Sequence, residues 1–338
     1  MQVTSKKNAT SKKYVWSQKN FLSHDGTPIG YQVIGDEGNP PFLLANGLGG
    51  THQAYRLLTD AFGDRFCFYC WDYRGMYTSG RPVSGYSGLS IDHHAKDALA
   101  LMEHVAKERT RNDDEKVQKA AQQEPFFAFG WSMGVQVILE MHRYAPEKLK
   151  GIVLHNGVAG RPYQTLAGTH RLEKWTPFAL KKLQGVDGKV TKTVQWAVER
   201  TFLIPLMVRL GLVNHNLDRA LFTRMAKNFK ELDWHLYLET LRQLGEHDAT
   251  DCLPKVKAPL LMIASSHDAM TPINAAEKIV DNVKNARLEV VDGGTHYAAV
   301  EFPEVVHGFL ETFLKKHWPK EAFSQTSKSS KPRRERAS

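Results

Sequence analysis

Short, nearly uninterrupted apolar runs alternate along the chain with longer stretches in which apolar residues recur every three or four positions. The runs are Phe42 to Ala45, Phe66 to Trp71, Phe126 to Phe129, Gly151 to Leu154, Leu260 to Ala264 and Arg287 to Val291. Their length and apolar content predict strands buried on both faces. The periodic stretches, His52 to Phe62, Ile91 to Lys107, Gly134 to Tyr144, Asn274 to Val283 and Pro303 to Lys316, predict helices. Ahead of them, residues 20–35 hold two strand-like runs around Asp25-Gly26, a hairpin signal. The alternation predicts an α/β fold: a mostly parallel sheet covered by helices on both faces, with an antiparallel start. Ligands of such sheets bind beyond the carboxyl ends of the strands.

Two stretches break the rhythm. Glu108 to Glu124 is strongly polar and reads as a solvated helix extension or loop. Residues 158–251 contain no strand run but several helical patterns rich in Trp, Phe, Leu and Met, the mark of a helical cap inserted between two strands. The expected organisation is therefore a core of residues 21–157 and 252–317, a cap or lid of 158–251, and two tails, 1–20 and 318–338. No internal repeat is present.

The 338 residues, 42% hydrophobic and 24% charged, belong to the globular class. No apolar run is long enough to span a bilayer. The lysine-rich start lacks the apolar segment of a secretory signal, so a cytoplasmic location is expected. The net charge of +9 suggests an acidic partner until it is located. Residues 1–20 carry five lysines and no acid, and residues 318–338 carry six basic and two acidic side chains, which leaves 34 of each sign between them. The body is neutral, so no specific nucleic-acid partner is expected. The polar tails predict flexibility and at most weak contact with an anionic membrane or RNA. Cys67 and Cys70 match a CxxC spacing, but within a strand their side chains point to opposite faces, which predicts buried thiols and no redox or metal pair.

The chemistry begins where the run Phe126 to Phe129 meets Gly130-Trp131-Ser132-Met133-Gly134 and a helical pattern follows. A GxSxG at a strand-to-helix junction is a nucleophile elbow, whose tight turn thrusts the serine outward. A serine hydroxyl needs a base, and the base an orienting acid. Asp268 follows the strand at Leu260 to Ala264, and His296 follows the strand at Arg287 to Val291. The 28 positions between them hold one helix and one strand, so both return to one sheet edge. Asp292, Asp248 and Asp251 are alternative acids; His24, His93, His94 and His267 lack the strand-end placement. The N–H groups of Met133, next to the elbow serine, and of Leu48, in the loop Asn46-Gly47-Leu48-Gly49-Gly50, are the expected donors to an oxyanion. No metal-ligand spacing or phosphate loop appears, so neither a metal nor another cofactor is expected.

These residues resemble the α/β-hydrolase superfamily over about residues 20–317. The resemblance implies an eight-stranded, mostly parallel sheet with an inserted cap, and a Ser-Asp-His triad at Ser132, Asp268 and His296. It departs at two places. Asn46-Gly47 stands where the family commonly has His-Gly. The family signature Asp-x-Arg-Gly-x-Gly-x-Ser appears as Asp72 to Ser79 with Tyr77 replacing its second glycine. The loop Asn46 to Gly49 is also similar to that of enol-lactone hydrolases. A serine nucleophile disfavours the dehalogenating and epoxide-opening relatives, which use aspartate. Acyl chemistry remains: hydrolysis of an ester, lipid ester, thioester or lactone, with acyl transfer, carbon–carbon hydrolysis or perhydrolysis by the same residues as alternatives. Outside enzymes, the alternative is a ligand-binding or scaffolding member of the fold.

The expected partner is a small ester-like molecule with an apolar group, touched by Asn46, Trp131, Trp175 and Tyr297. Phe178, Trp196, Phe202, Leu206 and Met207 are further apolar candidates in the cap. If the face of Phe202 to Val213 is exposed, it predicts a lipid-surface role.

Overall fold

In the computed structural model, described over residues 15–165, 179–180, 182–183, 185, 187–198, 200 and 203–318, eight strands form one sheet in the order β1-β2-β4-β3-β5-β6-β7-β8. They are β1 (Ser17–Leu22), β2 (Pro28–Ile34), β3 (Pro41–Ala45), β4 (Cys67–Trp71), β5 (Phe126–Trp131), β6 (Leu149–His155), β7 (Leu260–Ser265) and β8 (Ala286–Val291). β2 runs antiparallel to both β1 and β4, and all other pairings are parallel. The fold is thus the expected mostly parallel sheet with an antiparallel hairpin start.

Every residue of β3 and β4 is buried, which is why their sequences show no polar alternation. Neighbouring positions still point to opposite faces. Leu43, Cys67 and Tyr69 join the core beneath α2 (Ile91–Arg109) and α4 (Met133–Tyr144). Phe42, Phe68 and Cys70 join the core beneath α1 (Arg56–Phe62) and the last helix, Pro303–His317. The thiols of Cys67 and Cys70 therefore diverge. Burial pushes Cys67 up to about 11, far from the range of a reactive thiolate. In the polar stretch after α2, helix α3 (Glu115–Gln123) has no buried residue and is solvated as expected.

The segment between β6 and β7 holds α5 (Pro162–Thr165), α6 (Asp187–Val198), α7 (Leu203–Arg209), α8 (Arg219–Asn228) and α9 (Trp234–Glu246), with no strand among the described residues. Asp218 and Asp233 start α8 and α9 by accepting free first-turn N–H groups. After β7 come α10 (Ile273–Asp281), α11 (Ala298–Glu301) and α12 (Pro303–His317).

Two tail boundaries read from charge need correction. Residues 17–20 belong to β1, because their backbone pairs with β2 from Ser17 opposite Val33 onward. Trp318 packs against Phe66 and Phe127 with ring centroids 5.2 and 5.1 Å apart. Lysine count hid the first, since a strand edge tolerates charge on its solvent side. The remaining tail residues, 1–14 and 319–338, lie outside the described residues. Among the described residues no helix is long and apolar enough to cross a membrane.

Candidate active site

Ser132 stands between β5 and α4 at φ 56° and ψ −116°, a backbone region that costs a non-glycine residue about 1–3 kcal/mol. The flanking glycines make the turn possible. A Cβ at Gly130 would lie 2.4 Å from the Gly134 carbonyl oxygen, and one at Gly134 would lie 2.2 Å from that of Ala45. Ser132 donates its N–H to the His155 carbonyl at 3.0 Å, which pins the elbow to the end of β6. The His155 imidazole is buried, and burial pushes it down to about 3, so it sits beneath the site uncharged.

The loop after β7 carries Asp268, and the loop after β8 carries His296. Asp268 Oδ2 lies 2.8 Å from His296 Nδ1 and accepts from Thr271 Oγ1 at 2.6 Å, while Oδ1 accepts from the N–H groups of Met270 and Thr271 at 2.8 and 3.0 Å. Burial alone would raise this carboxyl; the His296 hydrogen bond and charge, with the Thr271 donors, outweigh it and hold the pKa below the usual carboxylate range. An ionised Asp268 accepting from Nδ1–H leaves Nε2 free to accept a proton. Of the alternative acids, Asp251 pairs with Arg143 and Asp292 accepts from Ser266 Oγ.

Ser132 and His296 line one cavity of about 420 Å³. The residue before the serine helps to hold the histidine loop: Trp131 Nε1 donates to the His296 carbonyl at 3.0 Å. No hydrogen bond joins Ser132 Oγ to the imidazole among the described residues. Such contacts are commonly long in unliganded sites and tighten around substrate.

Leu48 lines the same cavity, and its N–H has no acceptor among the described residues. Met133 is the first residue of α4, where a backbone N–H has no partner within the helix. Trp131 and Tyr297 also line the cavity. Asn46 does not. Its side chain is fully buried and donates to Cys70 Sγ and the Trp71 carbonyl, both at 3.2 Å. The expected substrate contact is thereby corrected: Asn46 still continues the inward line of β3, and the loop turns toward the cavity only after it.

The cap candidates divide by helical phase. Val194 and Ala197 of α6, and Ile204 and Met207 of α7, each three positions apart, face the cavity. Trp196 and Leu206 lie on the other side, 52% and 47% exposed, so neither lines it. Trp175, Phe178 and Phe202 lie outside the described residues.

Several supporting residues carry no legible signal in the sequence. Asn156, at φ 44°, donates through Nδ2 to Ser265 Oγ and to the Thr295 carbonyl, both at 2.9 Å, tying the loops of Asp268 and His296 together. Glu301 is buried and accepts from Thr295 N–H at 2.9 Å, Thr295 Oγ1 at 2.6 Å and Asn214 N–H at 2.7 Å. Asn214 also donates to the Gly293 carbonyl at 2.7 Å. Only an Asn-Gly pair directly after the β6 run hints at the first; Glu301 and Asn214 are 87 positions apart.

A model of the α/β hydrolase fold family matches residues 40–303. Among curated proteins, 3-oxoadipate enol-lactonase 2 of Acinetobacter baylyi is 23% identical over 304 residues, covering 89% of this chain and 98% of its own length. Serine hydrolase BPHL of Mus musculus is 24% identical over 300 residues, covering 86% of this chain and 84% of its own. Among solved structures, an esterase from Exiguobacterium antarcticum is similar with a TM-score of 0.68 at 17% identity, over 88% of this chain and 98% of that one. The enol-lactonase from Burkholderia xenovorans LB400 gives 0.65 at 17%, over 88% and 100%.

Proposed function

The chain belongs to the α/β-hydrolase fold family, and from that premise we propose that it is a serine hydrolase of carboxylic ester-like substrates: esters, lipid esters or lactones. One observation carries the reading: the buried Asp268–His296 pair, 2.8 Å apart, shares a cavity with a serine held in the strained elbow conformation. Ser132 Oγ attacks the acyl carbon while His296 Nε2 takes its proton, and Asp268 stabilises the imidazolium. The N–H groups of Leu48 and Met133 receive the developing oxyanion. Collapse of the tetrahedral intermediate expels the alcohol or enol oxygen, which takes the proton from His296 and leaves an acyl-Ser132. Water, deprotonated by the same histidine, then releases the acid.

The cavity lies in the size range of small-molecule sites and is walled mostly by apolar side chains, among them Ile204, Met207, Phe222, Phe229 and Tyr297. An apolar acyl or aryl group is the matching substrate part, and the enol-lactonases and esterases among the relatives support lactones and esters. Acyl transfer, carbon–carbon hydrolysis and perhydrolysis remain the alternatives that use the same residues. Helices α6 to α9 are read as a cap over the site.

Fluorophosphonate labelling and turnover of graded p-nitrophenyl esters and lactones test the reading. Labelling at Ser132 is expected, and Ser132→Ala should fold, escape labelling and lose at least about a thousandfold in turnover. Undiminished turnover by Ser132→Ala would overturn it. A chain that binds these compounds without labelling would instead be a ligand-binding member of the fold.

A further inference from the structure

Tyr77 replaces the second glycine of the Asp72 to Ser79 signature, yet its backbone keeps φ at 49°, the left-handed region that side chains disfavour. The surroundings over-determine this conformation. Asp72 Oδ2 accepts from the hydroxyl and N–H of Thr78, at 2.5 and 3.3 Å, Met76 N–H reaches the Tyr73 carbonyl at 2.9 Å, and Ser79 N–H reaches that of Met76 at 2.9 Å. A strained residue held this firmly points to a role for its side chain. The phenol donates to the Gly49 carbonyl at 2.5 Å, within the loop that carries Leu48.

That contact leads to Leu48 through two peptide planes. The Gly49–Gly50 peptide is held at both ends, its oxygen by Tyr77 and its N–H by the Gly47 carbonyl at 2.9 Å. In a trans peptide the C=O and N–H point in opposite directions. Because the Gly47 oxygen is turned back onto Gly50, the N–H of the same plane, which belongs to Leu48, is aimed the other way. Two further phenols hold the start of the loop, Tyr55 on the Ala45 carbonyl and Tyr73 on the Asn46 carbonyl, both at 2.6 Å. Burial pushes all three phenols well up, so each remains a donor at any pH the protein survives.

We infer that Tyr77 is a positioning residue: its phenol, completing a clamp with Tyr55 and Tyr73, fixes the Gly47 to Gly50 loop so that the Leu48 N–H is preorganised for an oxyanion. This rests on the serine hydrolase reading, and it assigns a task to the position where the chain departs from its family's pattern. Preorganised donors act mainly on the transition state, so the phenol should govern kcat with little effect on KM.

The test compares Tyr77→Phe, which keeps the ring and removes the donor, with Tyr77→Gly, which suits the backbone and removes both. In both, kcat and kcat/KM should fall together by about tenfold or more, the scale of one hydrogen bond. Affinity for an aryl boronic acid, a tetrahedral mimic, should fall in parallel, while that for a product carboxylic acid should hold. Hydrogen exchange at the Gly50 amide should quicken in both variants, a readout independent of catalysis. Unchanged exchange in Tyr77→Phe would overturn the clamp, even if Ser132 proved unreactive in the wild type. Faster exchange with wild-type kcat and boronate affinity, or wild-type turnover in Tyr77→Gly, would overturn the positioning role. Failure of the wild type to label at Ser132 would sink the serine hydrolase reading instead.

Discussion

A carboxylate that accepts four hydrogen bonds cannot be exchanged for an amide without turning an N–H toward a donor. Asp268 is in that position, with two backbone N–H groups, a threonine hydroxyl and His296 directed at its two oxygens. Asp268→Asn is therefore expected to disturb the imidazole tautomer and lower ester turnover by about a thousandfold to ten-thousandfold, measured as kcat at saturating substrate. It also has a signed effect on stability. The folded pKa of Asp268 is depressed below the 3.8 usual for an aspartate. Its ionic contribution is therefore complete above that value and is lost as pH falls through the folded pKa. The gap in urea midpoint between wild type and Asp268→Asn should be wide at about pH 7 and should narrow progressively as pH is lowered through the folded pKa, which lies below the usual carboxylate value. A gap that does not change with pH would show that the carboxylate's charge is not what matters. Of the residues legible from local pattern, Ser132, Asp268 and His296 were marked by their place after strands. Asn46 also follows a strand, but the alternation that sends its side chain inward is set by the register of β3 and not by the glycines that follow.

Among elements, the loop of His296 and the segment between β6 and β7 are joined through Glu301. One carboxylate accepts from Thr295, next to His296, and from Asn214, which lies between α7 and α8. Glu301→Gln offers one oxygen and an N–H to three donors. Leaving a buried donor unsatisfied costs about 1–3 kcal/mol, so a matching loss of stability in urea is expected. Limited proteolysis should in addition cut the 203–218 region faster in the variant. A variant with unaltered cleavage and urea midpoint would show that this bridge does not tie the two elements. Element types were readable because strands buried on both faces and amphipathic helices leave different periods in the chain. Which side of α6 and α7 faces the cavity was not readable: both faces carry large apolar residues, and only packing over the sheet sends Ala197 and Met207 inward and Trp196 and Leu206 outward.

Over the whole molecule, neutrality of the body hides a local excess. Residues 187–228 hold seven basic and three acidic side chains. The same stretch exposes Trp196, Leu206, Leu210 and Leu212, while Ile204 and Val213 are buried, so the face of 202–213 is exposed only in part. The terminal charge is a separate contribution. Deleting 1–14 and 319–338, which spares β1 and Trp318, should weaken the salt-sensitive part of flotation with anionic vesicles while leaving ester turnover unchanged. Full retention of that part by the shortened chain would rule the tails out as its source.

By itself, the sequence determined the class of fold, the order of its elements and the three side chains proposed to do the chemistry. Each of these is written in local periodicity and in short motifs whose backbone needs are met within a few residues. The folded chain alone decided what supports them: the grip of Asn156 on two loops, the bridge through Glu301, and the three phenols on the loop of Leu48. Those contacts join residues 6 to 139 positions apart. Hydrogen bonding at about 3 Å depends on where strand ends converge, which no local pattern records.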